Sequence, residues 1–152
     1  MKGISELGHI LVAEDDPTDA YFFQRAFKRA GLPVALHFVR DGQEALHYLQ
    51  GEGQFADRTC HPLPQLLLLD LKMPRLDGFE VLKWVRKQPG LSGLQVIVFS
   101  SSEEPGDINR AYGLGANSYL VKPHSMEELT ALVGQFKKSW LGAPDDPGRK
   151  VA

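Results

Sequence analysis

The chain has 152 residues, of which 43% are hydrophobic and 24% charged, and its formal net charge is −2. These values are ordinary for one globular domain, and the small net charge gives no argument for binding nucleic acid or an anionic membrane. No apolar run approaches the roughly 18 residues of a membrane span, and no signal peptide is visible. A single cysteine, Cys60, excludes an intramolecular disulfide and suits a reducing compartment. We therefore expect a cytoplasmic, single-domain protein that binds neither nucleic acid nor membrane.

Short apolar segments alternate with helical patterns along the chain. The sequence predicts strands at 9–13, 34–39, 66–69, 94–99 and 118–121, and helices at 17–30, 41–49, 78–87, 105–114 and 125–140. Such alternation indicates a parallel sheet with helices on both faces. Because crossover connections are right-handed, we expect a doubly wound, flavodoxin-like α/β fold with five parallel strands in the order 2-1-3-4-5.

Several helix boundaries carry capping signals. Asp16 precedes Pro17, an arrangement that suits an N-cap followed by proline at the first helical position. Asp41 and Ser125 each stand three residues before a Glu, which is the spacing of a capping box. These signals predict helix starts at about residues 17, 42 and 126.

The pattern of two further segments indicates which of them is buried and which lies on the surface. Phe22, Phe23 and Phe27 fall at helical spacing, which predicts a buried aromatic stripe on the first helix. Residues 51–64 are rich in glycine, proline and polar side chains, and they are long for a connection in a compact domain. We interpret them as a surface loop.

The four leucines at 66–69 are the centre of the predicted sheet. They lie between Pro64 and Pro74, and a short run of this kind is typical of a strand that is buried on both faces. Asp70 follows directly, at the carboxyl end of the strand, where open α/β sheets bind their ligands. We interpret Asp70 as a nucleophile.

Other polar residues follow the remaining strands. Glu14 and Asp15 come after the first strand, Ser100 after the fourth and Lys122 after the fifth. Taken singly, each has a plain structural explanation as a helix cap, turn former or solvated loop residue. Their shared position at the carboxyl ends of separate strands favours one joint site. Neighbouring carboxylates repel each other unless a cation joins them, and hard oxygen ligands suit Mg²⁺.

Four motifs together resemble the signatures of response-regulator receiver domains of two-component signalling. They are Glu14-Asp15-Asp16-Pro17, the run at 69–78, Phe99-Ser100 and the run at 119–123, and the resemblance covers about residues 8–140. It implies that Asp70 accepts a phosphoryl group from a phosphohistidine on a sensor histidine kinase or phosphotransfer protein. It also implies a signalling domain whose only chemistry is its own phosphotransfer and self-dephosphorylation.

The resemblance also implies a metal site. Asp15, Asp70 and the backbone carbonyl of Lys72 would hold Mg²⁺, and Glu14 would support the ion through a bound water. Mg²⁺ would offset the repulsion between an acidic site and an incoming phosphoryl group.

The remaining motif residues would form the phosphoryl contacts and the switch. Ser100 and Lys122 would contact the phosphoryl oxygens, and a cis peptide would join Lys122 to Pro123. On phosphorylation the Ser100 hydroxyl would move toward the new charge and Tyr119 would turn inward, which would change the surface made by the fourth helix, the fifth strand and the fifth helix. The family more often has threonine where Ser100 stands, so the hydroxyl is kept without β-branched stiffness.

Three alternative functions need residues or properties other than those of a phosphorylated receiver. A phosphohydrolase of the haloacid-dehalogenase type needs a second aspartate two positions after the nucleophile, where this chain has Lys72. A flavin-binding electron carrier needs a phosphate loop rich in Ser, Thr or Gly, whereas acids follow the first strand here. Within the receiver family, a phosphorylation-independent protein-interaction module is the stronger rival.

Domain organisation follows from the same resemblance. We expect residues 1–152 to form one receiver domain, with a core at about 8–140 and a flexible tail at 141–152. The long loop and the tail resemble stand-alone receivers that serve bacterial phytochrome-type kinases. Trp140 and Leu141 would support a homodimer or complete the core, and the downstream protein target is unknown.

Overall fold

The computed structural model describes residues 8–136, which form a five-stranded parallel sheet with helices on both faces. In chain order the elements are β1 (Gly8–Ala13), α1 (Pro17–Ala30), β2 (Val34–Val39), α2 (Gly42–Gln50), β3 (Leu66–Leu69), α3 (Gly78–Arg86), β4 (Gln95–Ser100), α4 (Pro105–Gly113), β5 (Ser118–Val121) and α5 (Met126–Phe136). The strand order is 2-1-3-4-5, which confirms the predicted flavodoxin-like fold. None of the helices in the described part of the chain is long and apolar enough to cross a membrane.

Some predictions fall on residues that the structure does not describe. They are the final part of the last helix, the tail at 141–152, and the role of Trp140 and Leu141 in a dimer. These stay predictions, since they lie outside residues 8–136.

The leucine strand β3 lies in the middle of the sheet. Leu69 pairs with Ala13 of β1 on one side and with Val98 of β4 on the other. All four leucines of β3 are buried, because each face of the sheet is covered by helices. The register brings the first residues after β1 and β3 to the same edge, and the Asp70 amide donates to the Ala13 carbonyl at 3.1 Å.

The apolar core forms two layers, one on each face of the sheet. On the face covered by α1 and α5, Phe23 and Phe27 are buried as predicted, whereas Phe22 is 43% exposed. The prediction for Phe22 was therefore wrong. A helix turns about 100° per residue, so Phe22 lies at the side of the stripe that Phe23, Ala26 and Phe27 form.

Three aspartates cap helices at their N-termini. Asp16 caps α1, Asp41 caps α2 and Asp77 caps α3, each by accepting a backbone N–H. Of the three, Asp77 makes the reciprocal capping box. The cap at Asp41 is one-sided, because Glu44 turns to the backbone N–H of Arg40 at 2.9 Å.

The loop at 51–64 is fastened to the core rather than loose. Arg58 donates to the carbonyls of Tyr48 at 2.8 Å and Leu49 at 2.9 Å, which are among the last carbonyls of α2. A 3₁₀-helix at Gly53–Phe55 buries the Phe55 ring against the core. The segment lies on the surface, as predicted, but Arg58 and Phe55 hold it against the core.

The loop between β3 and α3 docks on the start of α2. A Cβ on Gly42 would collide with the backbone carbonyl of Leu76, so the two segments touch without an intervening side chain. Arg75, held at a left-handed φ of 69°, donates from Nη1 to Asp41 Oδ2 at 2.5 Å. This contact holds the loop that leaves Asp70.

We expect Gly42→Ala to destabilise the protein by roughly 1–3 kcal/mol, because the added methyl group has no space against Leu76. Gly134→Ala on α5 is the matched control, since open space surrounds that position and alanine is the better helix former. It should stabilise by roughly 0.5–1 kcal/mol. Urea unfolding of the three proteins measures both changes. Equal stability of the two variants would contradict the close docking of this loop.

Candidate functional site

Polar side chains from four strand ends meet at one edge of the sheet. Glu14 follows β1, Asp70 follows β3, Ser100 ends β4 and Lys122 follows β5. The Lys122 backbone N–H donates to the Ser100 carbonyl at 2.8 Å, which continues the pairing of the last two strands into the site. The parallel register thus brings together residues that lie far apart in the sequence.

The Lys122 ammonium group is the centre of the site. Its Nζ lies 2.6 Å from Glu14 Oε1, 3.0 Å from Asp19 Oδ2 and 3.2 Å from Asp70 Oδ2. Burial alone would lower the pKa of Lys122, but the hydrogen bond to Glu14 and the charges of Asp70 and Glu14 outweigh it and raise that pKa. Lys122 is therefore a permanent cation inside a cluster of acids.

Glu14 is the most deeply buried of these acids. Its burial, together with the charge of Asp70, raises the pKa of its carboxyl group to about 7, against the opposing effect of the Lys122 hydrogen bond. Its second oxygen, Oε2, accepts the Asp16 backbone N–H at 3.1 Å. Both oxygens of Glu14 are therefore engaged by the protein.

Three carboxylates lie close enough to share a metal ion. Glu14, Asp15 and Asp70 each offer one oxygen, and these atoms lie within 4.8 Å of one another. Within residues 8–136 no other group of three His, Cys, Asp or Glu side chains assembles in this way. The Lys72 backbone N–H points at Asp70 Oδ1 from 3.4 Å, which places that peptide beside the cluster. An all-oxygen donor set with one exposed member, Asp15, fits Mg²⁺, an ion that usually keeps several waters.

The peptide bond between Lys122 and Pro123 is not cis. No cis peptide bond occurs among the described residues, so the expectation of one at this position was wrong. The Lys122 side chain is directed inward by its three carboxylate contacts and by its backbone bond to Ser100. A cis bond is not needed for that, and the trans form of an X–Pro bond is favoured by about 0.5–1 kcal/mol.

A chain of hydrogen bonds links Ser100 to Tyr119 through the loop before α4. Ser100 Oγ, which is buried, accepts the Ser102 backbone N–H at 3.1 Å. The Tyr119 hydroxyl donates to the Ser102 carbonyl at 2.8 Å, and Ser102 Oγ donates to Asp107 Oδ2 at 2.6 Å. Movement of Ser100 would therefore act directly on a loop that Tyr119 and α4 also hold.

Asp19 is the site residue that sequence reasoning missed. It stands in the first turn of α1, where an acid is usually explained by the helix dipole. The sequence did hold one signal, the helical period. Asp19 precedes Phe23 by four residues and Ala26 by seven, so it lies on the same side of α1 as these buried residues. Its partner, Lys122, is 103 positions away in the sequence.

Comparison with known proteins agrees with this geometry. The family model for the response regulator receiver domain matches residues 10–134. The response regulator RPA3017 in red light signalling of R. palustris is 39% identical, with a TM-score of 0.85 over 90% of this chain and 95% of that one. The phosphorylated cyanobacterial phytochrome response regulator RcpA is 34% identical, with a TM-score of 0.83 over 93% and 99%.

A third relative bears on the acidic cluster. Response regulator Rcp1 of Synechocystis is 33% identical over 132 residues, which are 87% of this chain and 88% of that protein. The crystal structure of its Mn²⁺-bound form has a TM-score of 0.79, at 32% identity over 89% of this chain and 95% of that one. The fold, the acidic edge of the sheet and these matches agree, and the chain belongs to the response regulator receiver domain family.

Proposed function

We propose that this receiver domain accepts a phosphoryl group on Asp70 from a phosphohistidine in an Mg²⁺-dependent reaction, and signals by a change of its surface. The observation that carries the proposal is the position of the Asp70 carboxylate. It lies 3.2 Å from the Lys122 ammonium on one side and within a carboxylate cluster that fits a divalent cation on the other. A relative with the same fold, RcpA, has been crystallised in its phosphorylated form.

Phosphoryl transfer depends mostly on positioning the reacting groups and on neutralising the charge of the phosphoryl oxygens, and little on covalent chemistry by the protein. The phosphorus–nitrogen bond of the donor breaks as a phosphorus–oxygen bond to Asp70 forms, and the imidazole keeps the bonding electron pair. When bound, Mg²⁺ neutralises and orients the phosphoryl oxygens. Lys122 supplies the fixed positive charge, and the Ser100 hydroxyl supplies a donor from the neighbouring strand.

The contacts of Glu14 support different roles for the acids at the metal ion. Oε1 of Glu14 is taken by Lys122 and Oε2 by the Asp16 backbone N–H. We assign Glu14 to the ion's water shell, and Asp15, Asp70 and the Lys72 carbonyl to direct coordination. The Mn²⁺-bound form of Rcp1 supports a divalent cation as the cofactor.

A sensor histidine kinase, or a phosphotransfer protein that it phosphorylates, would supply the phosphoryl group in the cytoplasm. The phytochrome and red-light relatives support a phytochrome-type kinase. Tyr21 and Phe22 are exposed on α1, on the turn that follows Asp19, and they offer an apolar surface for the donor protein. The phosphorylated form would then act by docking to another protein or as a phosphorelay shuttle.

The proposed output begins at Ser100. Phosphorylation adds about −1.5 to −2 charge and several strong acceptor oxygens beside this hydroxyl. A shift of Ser100 would pull the Ser102 backbone, to which its Oγ is bonded, and would alter the bond between Tyr119 and the Ser102 carbonyl. The surface formed by α4, β5 and α5 would change as a consequence.

Phosphorylation of Asp70 is tested by incubation with acetyl phosphate and Mg²⁺, followed by intact mass measurement. We expect the wild type to gain one phosphoryl group and Asp70→Asn to gain none, because the amide is not a nucleophile. Asp77→Asn, which alters a helix cap outside the site, is the control and should be phosphorylated. An unmodified wild-type protein would favour the phosphorylation-independent interaction module.

Mg²⁺ binding is tested by calorimetric titration of the unphosphorylated protein. We expect Asp15→Asn to lower the affinity for Mg²⁺ by roughly 10–100-fold or more. A change to a group that only supports a metal ligand already has an effect of that size, and Asp15 is proposed as a ligand itself. Glu52→Gln, an exposed acid in the loop at 51–64, controls for the lost charge. Equal affinities for the three proteins would remove Asp15 from the metal site.

The role of Tyr119 is tested by hydrogen exchange with and without beryllofluoride, a phosphoryl mimic. In Tyr119→Phe the ring stays but its bond to the Ser102 carbonyl is lost. We expect this variant to bind the mimic yet show a smaller exchange response in the loop before α4 than the wild type. Tyr21→Phe is the control and should respond like the wild type. An unchanged response in Tyr119→Phe would show that Tyr119 is a static strand residue.

A further inference from the structure

Asp19 gives the Lys122 ammonium a third carboxylate partner that belongs to none of the motifs described above. An ammonium group has three N–H donors and no acceptor. The three contacts, to Glu14, Asp19 and Asp70, therefore occupy all its donors. A phosphoryl oxygen can bind Lys122 when one of these carboxylates gives up its place.

The three partners differ in what it costs to release them. The Glu14 side chain is 2% exposed and makes the shortest contact, so water cannot readily take the place of Lys122 there. Asp70 is 9% exposed and carries the phosphoryl group itself. The Asp19 side chain is 41% exposed, so water can replace Lys122 at small cost. Asp19 is the partner that can leave.

The surroundings of Asp19 leave room for that movement. A cavity of about 200 Å³ opens between α1 and the segment after β5, and Asp19 and Lys122 both line it. The rest of its wall is mainly apolar, formed by Phe22, Phe23, Phe99, Pro123 and Met126 among others. The carboxylate of Asp19 thus stands at the boundary between the ion cluster and open space.

We propose that Asp19 is a displaceable counter-ion that holds Lys122 in the resting site and is displaced by the phosphoryl group, an inference that rests on the function proposed above. Asp19 acts as a positioning residue through Lys122. It opposes phosphorylation in two ways, since it occupies a donor that the phosphoryl oxygen needs and adds a negative charge on the path of an anionic donor. Its removal should therefore strengthen binding of a phosphoryl group or its mimic.

The opposite role is physically reasonable and predicts the opposite sign. If Asp19 served to hold Lys122 in its productive position, its removal would weaken binding of the mimic. The direction of the change therefore decides between the two roles.

The experiment measures beryllofluoride affinity at saturating Mg²⁺ by ¹⁹F NMR of the bound mimic. We expect Asp19→Asn to bind several-fold more tightly than the wild type, and Asp19→Glu, which keeps the charge, to lie closer to the wild type. Glu127→Gln is the matched control, because it removes one negative charge from an exposed position of α5. It should leave the affinity unchanged.

A second readout follows Asp19 itself in the wild-type protein and needs no variant. We expect the ¹³Cγ resonance of Asp19 to shift when beryllofluoride is added, because its partner changes from Lys122 to water. An unchanged resonance, or an affinity of Asp19→Asn that equals or falls below that of the wild type, would overturn the proposal and leave the proposed function intact. A wild type that takes up no beryllofluoride would overturn both.

Discussion

The ion cluster around Lys122 is the interaction on which the site depends. One ammonium group joins carboxylates from the ends of β1 and β3 and from the first turn of α1. Without it, Glu14 and Asp70 would be two buried acids of like charge in one pocket, an arrangement that favours protonation over ionisation. The lysine therefore offsets part of this repulsion at the edge of the sheet.

The same cluster is the part of the site on which the proposed phosphorylation would act. Every donor of Lys122 is engaged, and the oxygen atoms of the carboxylate cluster beside it repel one another. A divalent ion would offset the repulsion among these oxygens, and a phosphoryl group on Asp70 would compete with the carboxylates for Lys122. The proposed chemistry at Asp70 would therefore rearrange contacts that are already in place.

The loops that follow Asp70 and Ser100 are attached to the rest of the molecule in different ways. On one side, the loop after Asp70 is held by the close contact of Gly42 with Leu76 and by the pair of Arg75 with Asp41. On the other side, the loop after Ser100 is held by single hydrogen bonds through Ser102, one of which comes from Tyr119. The second loop leads directly to α4.

Local patterns determined the elements, the strand order and the motif residues of this protein. Apolar runs and caps marked each strand and helix start, because hydrophobic period and capping are properties of neighbouring residues. The leucine run at 66–69 likewise predicted Asp70 at a strand end, and the acids that follow the first strand predicted Glu14 and Asp15 at another. The parallel sheet then placed these ends on one edge, as its geometry requires.

Other features of the site depend on contacts between distant segments, and only the tertiary structure decided them. Asp19 reaches Lys122 across 103 positions, and the bond before Pro123 stays trans while Lys122 points inward. The helical phase placed Asp19 on the stripe of α1, but no local pattern specifies its partner or the form of the bond before Pro123. Each of these is set by the charges and surfaces that the completed fold brings beside the residue. The sequence by itself therefore determined which side chains stand at the edge of the sheet, and packing and charge decided how they pair.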